Sequence, residues 1–506
     1  MYPGRYAQTT PDKPAVIMAG SGEVVTYAEL DERSNRLAQV FRAAGLRYGD
    51  HVALLAENHP RYYEVYWAAV RSGLYITAVN RHLTAEETEY IVTDSDAKVF
   101  VTSHKMAETA AAVRSPGALR LMFDGTVPGF DSYEKALAGA PPEPVPERRR
   151  GSPMLYSSGT TGRPKGIEQP LSGLDIEDPA LTMGQSISVT YGFDADSVYL
   201  SPAPLYHSAP LAYSTATQAL GGTTVVLERF DAEAALAAIE KYQVTHSQWV
   251  PTMFVRMLRL PAETRAKYDV SSLRKAIHAA APCPVEVKRA MIEWWGPVIE
   301  EYYASTEAFG STHIGSEDWL RKPGSVGRAA NGTLHVCDDD GVELPAGQVG
   351  TVYFEQQRIV FQYHNAPDKT DASRHPDHPN WASVGDVGYV DDEGFLFLTD
   401  RSADLIISGG VNIYPREIED CLFPHPEVAD VAVIGVPNQE MGESVLAVVQ
   451  PSDGVEPGDA LAERLEAYAR DHIAGYKIPR AFEFVAEMPR TPVGKLNKRA
   501  LRAAHR

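Results

Sequence analysis

Residues 27–72 read YAELDERSNRLAQVFRAAGLRYGDHVALLAENHPRYYEVYWAAVRS, and this stretch sets the class of fold. Apolar residues recur at helical spacing over Tyr27–Ala44, a short β-like run follows at His51–Ala56, and helical spacing returns over Tyr62–Ser72. Helix and strand patterns in alternation predict an α/β architecture. The same grammar recurs at Ser197–Ser201, Thr223–Leu227, Ala232–Lys241 and Ala276–Ala281, which predicts a second, similar α/β lobe. Between the two lies Pro141–Pro153, rich in Pro, Glu and Arg and read as a surface linker. From about Arg401 the grammar changes. A helix is predicted at Pro415–Leu422, strands at Asp430–Val436 and Ser444–Gln450, a helix at Asp459–Ile473 and a strand at Phe482–Ala486, together a compact α+β unit.

The chain of 506 residues is long enough for several such units and a sizeable core. Its 47 basic against 67 acidic residues leave a net charge of -20, which argues against nucleic acid or an acidic membrane as the main partner. Cys283, Cys337 and Cys421 are too few and too scattered for a disulfide framework or a zinc cage, which fits a reducing compartment. Met1–Thr10 lacks a basic cluster followed by an apolar run, and the apolar stretch Tyr62–Val79 is broken by Glu64 and Arg71. No transmembrane segment and a cytoplasmic location are expected.

Tyr156-Ser157-Ser158-Gly159-Thr160-Thr161-Gly162-Arg163-Pro164-Lys165-Gly166 packs hydroxyls, three glycines and two cations into one loop. Glycines let backbone N–H groups converge on phosphate oxygens, hydroxyls add donors and lysine adds charge. The spacing is not that of a P-loop, and composition alone would allow an ordinary turn. His375-Pro376-Asp377-His378-Pro379 carries two histidines without a matching third ligand and reads as a surface loop. The basic terminal run Lys495–Arg506 reads mainly as a solvated helix.

The eleven-residue loop resembles the phosphate loop of the adenylate-forming superfamily, which includes acyl- and aryl-CoA synthetases, nonribosomal-peptide adenylation domains and firefly-type luciferases. Further segments resemble that family's motifs in the family's order: Tyr302–Glu307, Ser383–Tyr389 with Asp400-Arg401, Asp404–Glu419 and Pro489–Leu496. With Pro11–Ala15 they span nearly the whole chain. The resemblance implies a large multi-lobed N-terminal domain over 1–402, with two α/β lobes and a β-rich part. A smaller mobile α+β lid would cover 403–506, turning about Ala403, where the family usually has Asp or Lys.

The resemblance also implies roles. ATP would meet Ser157, Ser158, Gly159, Thr160, Thr161, Gly162 and Lys165 in the loop. Ala280, Ala281, Pro282, Glu301, Tyr302, Ala304 and Ser305 would add contacts, with Tyr303 against adenine and Thr306 near the α-phosphate. Asp386 and Arg401 would take the ribose and phosphate edge, a carboxylate suiting two adjacent hydroxyl donors; alone, Asp386 could equally be a turn residue. Magnesium would sit on Glu307 and Thr160. Lys495 would bridge carboxylate and α-phosphate, so Lys495, Glu307, Thr306 and His207 are the candidate catalytic set. Ser408, Gly409 and Gly410 would line a tunnel for the pantetheine arm of coenzyme A.

Tyr206, His207, Trp249, Val250, Thr252 and Met253, with the small run Ala279–Ala281, are the candidate acyl pocket, although Trp249 and Met253 also fit plain core. The implied activity is ATP-dependent conversion of a hydrophobic acid, medium- or long-chain or polycyclic, to an acyl-adenylate and then to acyl-CoA. Alternatives are an enzyme that hands its adenylate to a partner, or an aryl- or amino-acid adenylating enzyme. Against the amino-acid reading, Ser208, Ala209 and Pro210 stand where an aspartate would pair with an ammonium. A homodimer is left open.

Overall fold

The computed structural model describes residues 2–505 apart from 158–163, 179–182, 282, 284, 339, 402–405, 414 and 490–497, with the backbone alone at 399–401, 412, 416, 420 and 499. The opening stretch folds as its pattern predicts. Tyr27–Ala43 is a helix capped by Thr26, whose hydroxyl takes the Glu29 N–H while the Glu29 carboxylate returns to the Thr26 N–H, a reciprocal capping box. The strand His51–Leu55 is buried along its whole length, and the helix Arg61–Arg71 buries Tyr62, Tyr63, Val65, Trp67 and Ala69 beside it.

Among the described residues the strands form five sheets. The first lobe holds a six-stranded, wholly parallel sheet in the order Asp131–Ser132, Leu119–Phe123, Ala97–Ser103, His51–Leu55, Tyr75–Val79, Ser152–Pro153. The second lobe holds a nine-stranded sheet, parallel through its middle and antiparallel at both edges. The strands Pro14–Met18 and Val24–Thr26 belong to this second sheet, beside Thr223–Val226, so the chain enters through the far lobe before building the near one. Non-local pairing of that kind leaves no mark on local periodicity.

The Pro-rich segment is largely exposed up to Glu147, but its last residues, Ser152–Pro153, become an edge strand. A five-stranded antiparallel sheet built on Thr333–Cys337, Gly350–Glu355, Asp386–Val390 and Leu396–Arg401 supplies the β-rich part. The loop with His375 and His378 runs over the surface as expected, with Pro376–Pro379 exposed and one residue turned inward. His375 is buried, its Nε2 lies 2.8 Å from the Gly341 carbonyl, and His335 and His378 stack on Trp381. Among the described residues no cluster of three or more His, Cys, Asp or Glu could hold a metal, and no helix is long and apolar enough to cross a membrane.

The last unit is α+β: a long hairpin, Val428–Asn438 with Gly442–Pro451, flanked by Ile406–Ser408 and Ala481–Phe484 and covered by the helices Pro415–Leu422 and Asp459–His472. The short helix Lys498–Ala503 is anchored rather than merely solvated, with Leu501 buried and Lys498 paired to Glu419 at 2.6 Å. The expected boundary at 402/403 and the hinge at Ala403 lie outside the described residues.

Candidate active site

A cleft of about 1170 Å³ opens between the second lobe and the α+β unit, and most of the sequence-derived candidates that the structure describes converge on it. The strands that flank the glycine-rich loop pair antiparallel, with Lys165 opposite Ser157 and Gly166 opposite Tyr156. Ser157 and Lys165 line the cleft; Ser158, Gly159, Thr160, Thr161 and Gly162 lie outside the described residues. The Lys165 ammonium stands 4.7 Å from the centre of the Tyr363 ring, and the Tyr363 hydroxyl donates to Glu307 Oε1 at 2.8 Å. Burial and the neighbouring Lys369 pull the Lys165 pKa below the usual lysine value, against Glu307, which favours its charge. Gln169 fixes the Glu307 backbone by donating to its carbonyl at 2.8 Å. Sequence reading missed Tyr363 and Gln169 because neither lies in a motif; both reach the site through the three-stranded sheet and the loop beside it.

Thr306, Glu307, Ala304 and Ser305 face the cleft at the end of the strand Ile299–Ala304, and the Ser305 hydroxyl is buried without a hydrogen-bond partner. Glu307 is the one acidic side chain among the described residues on the cleft wall. A single carboxylate suits a magnesium ion that takes its other ligands from phosphates and water. Tyr303 and Asp386 are joined directly, the tyrosine hydroxyl donating to the carboxylate, and Tyr303 packs on Phe354. The carboxylate expected for ribose therefore already holds the ring expected for adenine. Arg401 sits opposite Asp386 in register, and its side chain, like Pro282, Ala403 and Lys495, lies outside the described residues.

Strand geometry keeps three candidates, Glu301, Tyr303 and Trp249, off the cleft wall. Successive side chains point to opposite faces. On Ile299–Ala304, Tyr302 and Ala304 reach the cleft, whereas Glu301 turns into the protein and pairs with the buried Lys288 ammonium at 2.6 Å. On His246–Trp249, Gln248 reaches the cleft, whereas Trp249 is fully buried, its indole N–H donating to Ser247 Oγ at 2.7 Å and its ring against Trp295 and Phe254. Tyr206, His207, Val250, Thr252, Met253, Ala279 and Ala280 line the cleft, and Ala280 takes a left-handed φ of 76°. Trp249→Ala is accordingly expected to cost about 3–5 kcal/mol of stability. A lowered thermal midpoint with an unaltered order of preference among acids is the expected readout; an unshifted midpoint with altered preference contradicts it.

His207 caps the helix Ser208–Leu220 with its backbone, and its ring lies 4.4 Å from that of Tyr206. Burial and the nearby His82 push its pKa down to about 4, so the imidazole is neutral at neutral pH. The α+β unit meets the cleft here. Ser408 pairs with Val411 across Gly409-Gly410, both at left-handed φ, and a Cβ on Gly410 would touch Val250 at 3.4 Å. Gly409 and Gly410 line the cleft, beside Tyr476 and Lys477 of the same unit.

Lys477 belongs to a buried contact between the two parts of the chain. Its ammonium bonds Glu417 at 2.5 Å and Glu87 at 2.7 Å, while the other Glu87 oxygen completes the capping box of the helix Ala85–Asp94. Tyr476, Cys421 and Glu86 surround these groups. Burial raises the Glu417 carboxyl to about 7; Lys477 opposes that rise and Glu87 adds to it. A raised carboxyl pKa means this docked contact favours the proton. The contact is therefore fully stable below the ordinary carboxylate range, and weakens as pH climbs toward 7. Glu87→Gln keeps the cap with its one oxygen and gives up the Lys477 bond together with the like charge. In acyl transfer from supplied acyl-adenylate, the ratio of variant to wild-type rate should rise between about pH 5 and 8; a flat ratio contradicts this account.

A model of the AMP-binding enzyme family matches residues 4–364, and a model of the AMP-binding enzyme C-terminal domain matches residues 417–495. The chain is 34% identical to a feruloyl-CoA synthase of Amycolatopsis sp over 99% of its length and 98% of the relative's. It is 32% identical to the long-chain-fatty-acid–CoA ligase FadD13 of Mycobacterium tuberculosis over 98% of its length and 96% of the relative's. Among solved structures, the amide bond synthetase McbA from Marinactinospora thermotolerans superimposes with a TM-score of 0.85 at 30% identity, covering 100% of this chain and 99% of that one. A large α/β body, a small C-terminal unit and a cleft between them carrying the Thr306-Glu307 and Gly409-Gly410 segments thus place this protein among the AMP-binding, adenylate-forming ligases.

Proposed function

We propose that the protein is an acid–thiol ligase that activates an organic acid as its acyl-adenylate and then transfers the acyl group to coenzyme A. Joining a carboxylate to a thiol in water is uphill, so activation comes first. A carboxylate oxygen bonds to the α-phosphorus of ATP and the bond to pyrophosphate breaks. The obstacle is the approach of an anion to a polyanion, which positioned cations and donors relieve. Lys165 and Thr306 stand on the cleft wall for that purpose, and Lys495 is assigned the bridge between carboxylate and α-phosphate. Glu307 would hold magnesium, which when bound neutralises phosphate charge.

In the second step the thiol sulfur bonds to the acyl carbon, AMP leaves, and the thiol proton passes to solvent or to the AMP phosphate. The neutral His207 imidazole beside Tyr206 can accept a hydrogen bond from the thiol and orient it; AMP is already a good leaving group, so a full base is not required. One observation carries the CoA reading above that of an enzyme that stops at the adenylate: the Gly409-Gly410 turn sits against Val250 on the same cleft as His207, where side-chain-free backbone leaves room for a narrow thiol arm.

Relatives named as a feruloyl-CoA synthase and a long-chain-fatty-acid–CoA ligase support thioester formation, and the amide bond synthetase marks the competing reading in which an amine takes the acyl group. The test is pyrophosphate release over a panel of carboxylic acids, with and without CoA, with thioester assayed separately. Release with thioester is the expected result. Release without thioester, or amide on adding amines, overturns the second step; no release with any acid overturns the whole.

A further inference from the structure

One end of the cleft is walled by aromatic side chains, of which Tyr302 alone is among the residues expected to contact ATP. The helices Met183–Tyr191 and Ser208–Leu220 pack on each other, ring contacts join Tyr191 to His313 and Tyr213 to Tyr302 of the paired strands Ile299–Ala304 and Ser311–Gly315, and all four side chains face the cleft. Tyr302 and His313 are direct cross-strand neighbours. The His313 ring meets Tyr191 edge-on at 5.3 Å, and Tyr213 stands 6.0 Å from Tyr302 and 6.2 Å from Tyr191. An all-apolar wall would suit a purely aliphatic chain better than this one, which sets an imidazole among phenols.

His313 is held from behind. Its Nε2 lies 2.8 Å from Glu300 Oε2, and Lys275 bonds the other Glu300 oxygen. Burial alone would raise the Glu300 carboxyl, but the bonds from His313 and Lys275 hold it below the ordinary value, so it is a carboxylate and can only accept. Nε2 therefore carries the proton shared with Glu300. In the neutral ring that leaves Nδ1 as an acceptor, the tautomer being fixed by the group behind it.

Resting on the adenylating reading above, we infer that His313 is a specificity-determining residue: it accepts a hydrogen bond from a ring hydroxyl at the far end of an aromatic acid whose ring lies among Tyr191, Tyr213 and Tyr302. An aromatic ring matches the edge-on and tilted packing of the wall. A hydroxyl meets the acceptor that Glu300 fixes, and an analogue lacking it leaves that acceptor without its partner.

The experiment compares kcat/KM for pyrophosphate release between hydroxyphenyl acids and their deoxy analogues of equal length, in the wild type and in His313→Leu and His313→Asn. The wild type should prefer the hydroxylated member by at least about tenfold. His313→Leu should bring that ratio to near one, and His313→Asn, which keeps a carbonyl acceptor, should give an intermediate value. A ratio taken on one preparation is independent of the folded fraction, so a destabilised variant still reports. A ratio unchanged by His313→Leu, or a wild type that prefers the deoxy acids or saturated alkyl acids, overturns the inference. Absence of pyrophosphate release with every acid overturns the ligase reading instead, and the two failures are distinct.

Discussion

Lys495→Ala should lose acyl-adenylate formation by about 10²–10³-fold while acyl transfer from supplied acyl-adenylate persists. Carboxylate attack on the α-phosphorus brings anion onto polyanion, and the lysine's charge matters where negative charge builds, at the pentacoordinate phosphorus. Thiol attack on an adenylate carries no such problem: the thiol meets a carbonyl carbon and sheds its proton as the bond forms, and the leaving group is already activated. The cleft supports this division of labour. In the described orientation the side assigned to the thiol is lined by Gly409, Gly410, Tyr476 and Lys477 of the α+β unit, and Lys477 is spent on Glu87 and Glu417, so it offers no cation to the nucleotide. Rapid-quench measurement of adenylate from ATP and acid, set against thioester from synthetic adenylate, separates the steps. Equal losses in both half-reactions would refute the assignment, and Lys495→Arg should recover part of the first by restoring charge without the original geometry.

How far the sequence could be read depended on the range of the interaction behind each feature. Helix periodicity is local, and the helices at Tyr27, Arg61, Ala232, Pro415 and Asp459 begin within a residue of where their apolar spacing begins. The strand expected over Ala276–Ala281 is instead Lys275–His278, because the backbone turns to positive φ at Ala280. Motif residues gathered at the cleft because each motif fixes a short loop at a strand end. Which face of a strand looks into the cleft is not local, since it depends on the layer packed behind it. Trp249 and Glu301 carry the right chemistry for a site and point the wrong way, into Trp295 and onto Lys288. His313 was invisible for the complementary reason: it becomes a neighbour of Tyr302 only through the antiparallel register of two strands. Glu87 and Lys477 stand 390 residues apart and meet only where the two parts of the chain dock.

Gly410→Leu should leave pyrophosphate release with acid and ATP near the wild-type rate and slow thioester formation by about 10²-fold, the loss that follows from a small misplacement of reacting groups. Two features of the turn make the position sensitive. Its φ of 80° lies in the region where a side chain is strained, so any replacement distorts the hairpin that carries Ser408–Val411. A Cβ there would already stand 3.4 Å from Val250 Cβ, and a leucine extends well beyond it into the space beside His207. The proposed function gives this turn to the thiol step alone, so the first half-reaction should not fall. Strain and crowding can then be told apart. If crowding dominates, adding Val250→Ala should restore a measurable part of the thioester rate, whereas local strain in the hairpin would be untouched by a change on the opposite wall. Gly410→Ala, with the strain but little of the bulk, should fall between the wild type and Gly410→Leu. A Gly410→Leu enzyme that forms thioester at the wild-type rate would remove the turn from the path of the thiol, and with it the observation on which coenzyme A was chosen over other acyl acceptors.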